Sequence, residues 1–183
     1  METFEQRLQR FKSEEPAEFI ETILLSIQNS FIPELVIASE NRCGDLLILG
    51  IHSVIETVSE NIFLKKGVSG FKFYLENFVD ADKEGFRFSE IADVLNDLRN
   101  IIAHQKISKL GHSFGYDYGI QVGYKIDGTI IILNPSIFFE QFKSAFKKGI
   151  KTKRRIWDYA QLLSPEQQMR EAKKKFIQKF MKK

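Results

Sequence analysis

Arg99-Asn100-Ile101-Ile102-Ala103-His104 gathers a permanent cation, a short amide and a group that titrates near neutrality into six residues. Arginine stays protonated at any working pH, offers five donors, and suits a phosphate or its pentacovalent transition state. Histidine can take a proton from one oxygen and give it to another. Together they supply the groups that cleave RNA without a metal. The imidazole activates the 2′-hydroxyl or protonates the departing 5′-oxygen, while the guanidinium steadies the charge on phosphorus. Five residues on is about 140° round an ideal helix, so the two side chains do not share a face. A catalytic pair on one helix therefore needs a distorted helix end or a second copy of the chain, and a dimer is the simpler answer.

Other residues of the right chemistry are scattered. Glu56 and Glu60 stand with His52 at helical spacing. Glu56 either orients Arg99 or His104, or belongs to a solvated helix face. His52 and His112 lack a second ligand at usual spacing, so neither a metal site nor a cofactor site is expected. Cys43, the single cysteine, is read as a core or boundary thiol rather than a nucleophile. Phe114, Tyr116, Tyr118 and Tyr124 lie near Lys125, and either stack on unpaired bases or form the packed face of a hairpin. There is no Gly-rich phosphate loop, serine nucleophile elbow or kinase signature.

The elements that must position these residues are mainly helical. Ala17 to Phe31 is predicted as a helix with Phe19, Ile23, Ile27 and Phe31 at four-residue spacing, interrupted at Pro33 and continued over Glu34 to Ser39. Asp45 to Phe63 follows, with Leu46, Leu49, Val54, Val58 and Ile62 apolar. Ser69 is expected to cap a third helix reaching about Val79, and Asp80 to Gly85 to form a polar loop. Ser89 is expected to cap a fourth helix with Phe88, Ile91, Leu95, Leu98 and Ile102 on one face. After Gly111 the period changes: a β-hairpin is expected at about 119–133, turning at Asp127-Gly128. Asn134-Pro135 reads as N-cap and N1 of a helix carrying Ile137, Phe138, Phe142 and Phe146. Ser164-Pro165-Glu166-Gln167 starts a final helix, with Phe176, Ile177, Phe180 and Met181 among lysines.

The chain has 183 residues, 17 of them Phe, enough for one bulky core. A helical domain over 1–150 and a basic, helical extension over 151–183 are expected. From Gln141 onward there are 14 Lys and Arg against 3 Asp and Glu, while residues 1–140 carry a net charge of −8. The basic end either attracts a polyanion such as RNA, solubilises the chain, or docks on its own acidic body. The apolar stripe of the final helix fits a partner helix or the parent bundle, and Trp157 is expected to anchor the tail. No secretory h-region is seen and the apolar runs are short, so a cytoplasmic protein without a membrane partner is expected.

Leu98-Arg99-Asn100-Ile101-Ile102-Ala103-His104 resembles the signature of the HEPN superfamily, whose ribonucleases carry Arg, often a polar residue next, then His after four to six residues. The resemblance covers roughly Ala17 to Lys148, with the motif on a late helix of a four- to five-helix bundle; the hairpin is an elaboration. It implies His104 as general acid/base, Arg99 as phosphate ligand and Asn100 as polar helper, in a homodimer joining two such pairs. It further implies a metal-independent endoribonuclease acting on RNA, with a toxin- or defence-like role and a cognate inhibitor protein. Some toxins of the superfamily carry Tyr two residues after His; here that position is Lys106. The alternative is a non-catalytic HEPN-like module that binds RNA or protein.

Overall fold

The first long helix buries Phe19, Ile20, Ile23, Leu24 and Ile27, then Leu35 and Ala38, with no buried residue between Ile27 and Leu35. A π turn, Ile27–Phe31, falls in that gap, with the Ile32 N–H donating to the Ile27 carbonyl. That wide turn directly precedes Pro33, whose ring in a regular α-helix meets the carbonyl four residues back. The helix therefore runs unbroken from Pro16 to Glu40, where an interruption was expected at Pro33. Phe31 turns outward to 47 % exposure instead of joining Phe19, Ile23 and Ile27 inside.

The computed structural model describes residues 3–80, 85–104, 111–147 and 166–181. Among these, seven helices and one small sheet follow in order. They are α1 (Phe4–Ser13), α2 (Pro16–Glu40) and α3 (Gly44–Asn61). Then come α4 (Gly67–Tyr74, with a π turn Leu75–Val79) and α5 (Ala92–His104, opened by a 3-10 turn Phe88–Ile91). Strands β1 (Ser113–Tyr116), β2 (Tyr124–Asp127) and β3 (Ile130–Leu133) precede α6 (Pro135–Lys147) and α7 (Glu166–Met181). The fold is thus mainly helical with a small sheet. Helices α2 to α6 surround one continuous apolar core, including Phe71, Tyr74, Phe88, Phe138 and Phe142.

Several expectations are corrected. An N-terminal helix, α1, precedes the predicted ones, fixed by a capping box between Thr3 and Gln6. The hairpin is part of a three-stranded sheet in the order β1-β3-β2, β1 running parallel to β3. Its second strand is shorter than predicted, and the turn is Gly128-Thr129, with Gly128 at φ +56°. Ser89 does not cap α5. Asp80, at the end of α4, does so instead, accepting from the N–H groups of Phe88 (3.1 Å) and Ser89 (2.8 Å). Nor does Ser69 cap α4; its hydroxyl donates to the Lys66 carbonyl. Leu46 is 61 % exposed rather than core. Asn134 does cap α6, accepting from Ser136 and Ile137 N–H.

The described part of the basic extension, α7, docks on the bundle. On α7, Met169 and Ala172 are buried, and Phe176 meets Phe11 of α1 and Phe19 of α2 edge-on at 5.9 and 5.1 Å. Lys173 donates to the carbonyls of Lys12 and Glu14, satisfying the end of α1. Lys179 reaches Glu60 at 3.1 Å. The boundary near 150, Trp157, the Ser164-Pro165 start signal, and the side chains of Phe146 and Phe180 lie outside the described residues. Helix α2, at 25 residues, is long and apolar enough to cross a bilayer by length and composition, because the π turn joins two runs that are short in the sequence.

Two fastenings set α3 and α5 in place. The Tyr116 hydroxyl donates to Asp45 in the first turn of α3 (2.7 Å), and the Tyr124 hydroxyl to Glu90 at the start of α5 (3.3 Å). Gly70 allows α4 to close on α3: a Cβ there meets the Lys65 carbonyl oxygen at 2.5 Å and the Ser59 side chain at 3.2 Å. The Ser59 hydroxyl donates to the Gly70 carbonyl at the same crossing. Gly70→Ala is expected to destabilise the fold by ~1–3 kcal/mol, as overpacking does, and calorimetry would show it as a lowered thermal midpoint. An unchanged midpoint would mean that the crossing is not tight.

Candidate active site

Residues at one-turn steps on two helices meet in register. On α3 these are His52, Glu56 and Glu60; on α5 they are Asn96, Arg99 and Asn100. His52 Nε2 lies 3.3 Å from Asn96 Oδ1. One turn further along both helices, Glu56 Oε2 lies 3.5 Å from Arg99 Nη2. The contacts advance in the same direction along α3 and α5, so the two helices lie side by side and parallel here. Glu60 turns instead to Lys179 of α7.

Arg99 is held at two points and still reaches solvent. Its Nη1 donates to Asn100 Oδ1 at 3.0 Å, Glu56 stands at Nη2, and the side chain is 32 % exposed. Partial exposure means that the ion pair adds little to stability. Its effect is to fix where a planar, five-donor cation points.

His52 is 2 % exposed. Its ring stacks on Phe71 of α4, with centroids 4.3 Å apart and planes 17° from parallel. An acceptor faces each ring nitrogen: Asn96 Oδ1 at Nε2 and the Glu56 carboxylate 3.6 Å from Nδ1. Such flanks suit an imidazolium. Burial opposes it most and carries the pKa below the ordinary histidine value; Glu56 pulls the other way, and Arg99 reinforces the burial. The neutral ring has one N–H, which Asn96 takes, leaving Nδ1 without a hydrogen bond.

His104 closes α5, and its side chain lies outside the described residues, as does Lys106. The backbone is α-helical from Ala92 to His104, so positions 99 and 104 stand about 140° apart. The structure thus brings Arg99, Asn100 and Glu56 together. Asn96 and Phe71 were missed in the sequence. Asn96 had a signal, standing three and four residues before Arg99 and Asn100; Phe71 had none.

The remaining candidates lie elsewhere. Cys43 is exposed rather than core, at the start of α3. His112 is half-buried beside Phe114. Tyr116 and Tyr124 are bonded to helix starts, and the Tyr118 ring lies under Arg42 at 5.6 Å. Among the described residues no three His, Cys, Asp or Glu side chains gather to hold a metal ion. Comparison with protein families, curated proteins and solved structures finds no match to this chain.

A neutral buried His52 has a pH signature. Its folded pKa is lowered, so the unfolded chain binds more protons at acid pH; the stability linked to it is present above about pH 6.5 and is lost as pH falls below that value. The thermal midpoint is expected to fall more steeply between pH 7 and pH 5 for wild type than for His52→Gln. Parallel curves would mean that burial does not hold the ring neutral.

Proposed function

We propose that this chain is a metal-independent endoribonuclease of HEPN type that works as a homodimer. The observation that carries the reading is the anchoring of Arg99. Its guanidinium is fixed by Asn100 and Glu56 yet open to solvent, on the helix that ends at His104. A cation already oriented binds a phosphate with little further ordering, and its charge acts where negative charge develops in the transition state.

In this reading Arg99 holds the scissile phosphate, Asn100 steadies Arg99 throughout, and Glu56 orients it before the phosphate arrives. His104 moves the proton: the 2′-hydroxyl attacks the adjacent phosphorus, the 5′-oxygen leaves protonated, and the products carry a 2′,3′-cyclic phosphate and a free 5′-hydroxyl. Because 99 and 104 face apart on one helix, the working pair joins Arg99 of one protomer with His104 of its partner. A toxin- or defence-like role in the cytoplasm, restrained by a cognate inhibitor protein, belongs to the same reading.

The test is cleavage of a mixed RNA pool in excess chelator, with end-group analysis. Wild type is expected to leave cyclic-phosphate ends. His104→Ala should be slower by ~100- to 10,000-fold, as for loss of a general acid/base. Arg99→Lys should lose ~100-fold or more, since an ammonium lacks the fork. Equal cleavage by wild type and His104→Ala would overturn the catalytic assignment. RNA binding without cleavage in either would favour a non-catalytic binding module.

A further inference from the structure

Glu56 stands between two groups that compete for it. Its carboxylate is 3.5 Å from Arg99 and 3.6 Å from His52 Nδ1. A phosphate arriving at Arg99 meets this carboxylate as a like charge a few ångströms away, a repulsion that weakens binding unless the carboxylate is neutralised. The groups around His52 can supply that neutralisation. Nδ1 is buried without a hydrogen bond and faces Glu56, Asn96 Oδ1 already accepts at Nε2, and Phe71 holds the ring plane from the other side. No rotation of the ring is needed for a second N–H to point at the carboxylate.

We propose that His52 is a positioning residue for Arg99, taking over the Glu56 carboxylate when a nucleic-acid phosphate occupies the guanidinium. This rests on the reading of Arg99 as the phosphate ligand. One proton from solvent enters through the partly exposed Glu56 and comes to rest on His52 Nδ1. Glu56 changes partner from Arg99 to the imidazolium, and the guanidinium turns the Nη2 edge that Glu56 released to the phosphate, while Asn100 keeps Nη1. No covalent bond is made or broken, and release of the phosphate returns the proton to solvent.

The electrostatics agree in direction. In the free protein, burial and the Arg99 charge keep His52 neutral, against Glu56 on its own helix. From α5 the facing groups are Asn96 and Arg99; from α4 it is the apolar Phe71. A phosphate on Arg99 cancels the one cation in that set and leaves Glu56 with no partner except His52. The affinity of His52 for a proton then rises.

The chain has three histidines, so imidazole ¹⁵N resonances can be assigned by substitution and followed with pH in the full-length protein. The probe is a 2′-O-methyl oligoribonucleotide, which presents phosphates and has no attacking hydroxyl. The His52 midpoint is expected below 6.5 in the free protein. It should rise by roughly one pH unit with saturating oligonucleotide, and Glu56→Gln should abolish the rise. Arg99→Gln, with no ligand, should raise the midpoint by itself, which tests the competition even if the oligonucleotide fails to bind. A His52 midpoint unmoved by Arg99→Gln would overturn the proposal, as would one unmoved by bound oligonucleotide. Cleavage is read separately. Shifted midpoints without cleavage would sink the ribonuclease reading and leave the shared carboxylate; cleavage with unmoved midpoints would do the reverse.

Discussion

The contact of α3 with α5 is the constraint on which the site depends. A histidine that is 2 % exposed sits in it, and a buried imidazole is tolerated when polar groups meet its nitrogens and apolar surface meets its faces. Asn96 meets Nε2 and Phe71 one face, from two different helices, while Nδ1 faces Glu56. Phe71 reaches the ring because Gly70, one residue earlier, lets α4 close on Ser59 of α3. Once that crossing and the His52–Asn96 bond are set, the next turn along both helices brings Glu56 to Arg99 with no freedom left in register. The position of the exposed guanidinium is therefore fixed by a buried contact one turn away.

The small sheet and Asp80 serve the same end from the opposite side. Tyr116 fastens the first turn of α3, Tyr124 the first turn of α5, and Asp80 ties the end of α4 to the start of α5. All three bonds lie near helix starts, whereas Glu56 and Arg99 lie in the later halves. Parallel helices held at their beginnings and joined by a buried polar contact midway keep a constant spacing where the cation emerges. The rings of Tyr116 and Tyr124 pack against the apolar core, as the packed-face reading expects.

Much of this was legible in the sequence because it follows from periodicity. Phe88, Ile91, Leu95 and Leu98 on α5 are buried as their spacing predicts, and Asn134-Pro135 opens α6 by local capping chemistry. What was illegible depends on partners far along the chain. Asp80 caps α5 from nine residues before Ser89, a relation no N-cap pattern contains. Strand β1 finds its partner across the hairpin, so its short Phe114-x-Tyr116 alternation reads as a sheet edge only when β3 is present. The π turn at Ile27–Phe31 had no signal in the spacing, because a step of eight residues also belongs to an ordinary helical stripe. At the site, the motif drew attention to Arg99, Asn100 and His104, while the buried neighbours that orient Arg99 are ordinary core and boundary positions.

The charge asymmetry of the chain takes a different meaning once α7 is placed. Its net positive charge lies against an acidic body, and Lys173 and Lys179 are occupied by carbonyls of α1 and by Glu60. Glu60 is one turn beyond Glu56 on the same face of α3, so the cation that occupies it leaves Glu56 as the carboxylate shared by Arg99 and His52. If Glu60 stood without Lys179, two adjacent carboxylates would border the guanidinium and oppose any phosphate there. In the proposed reading the basic helix therefore also favours RNA indirectly, by neutralising the acid beside the site. The polyanion-binding cation at the site itself is then Arg99, whose orientation decides which phosphate is held.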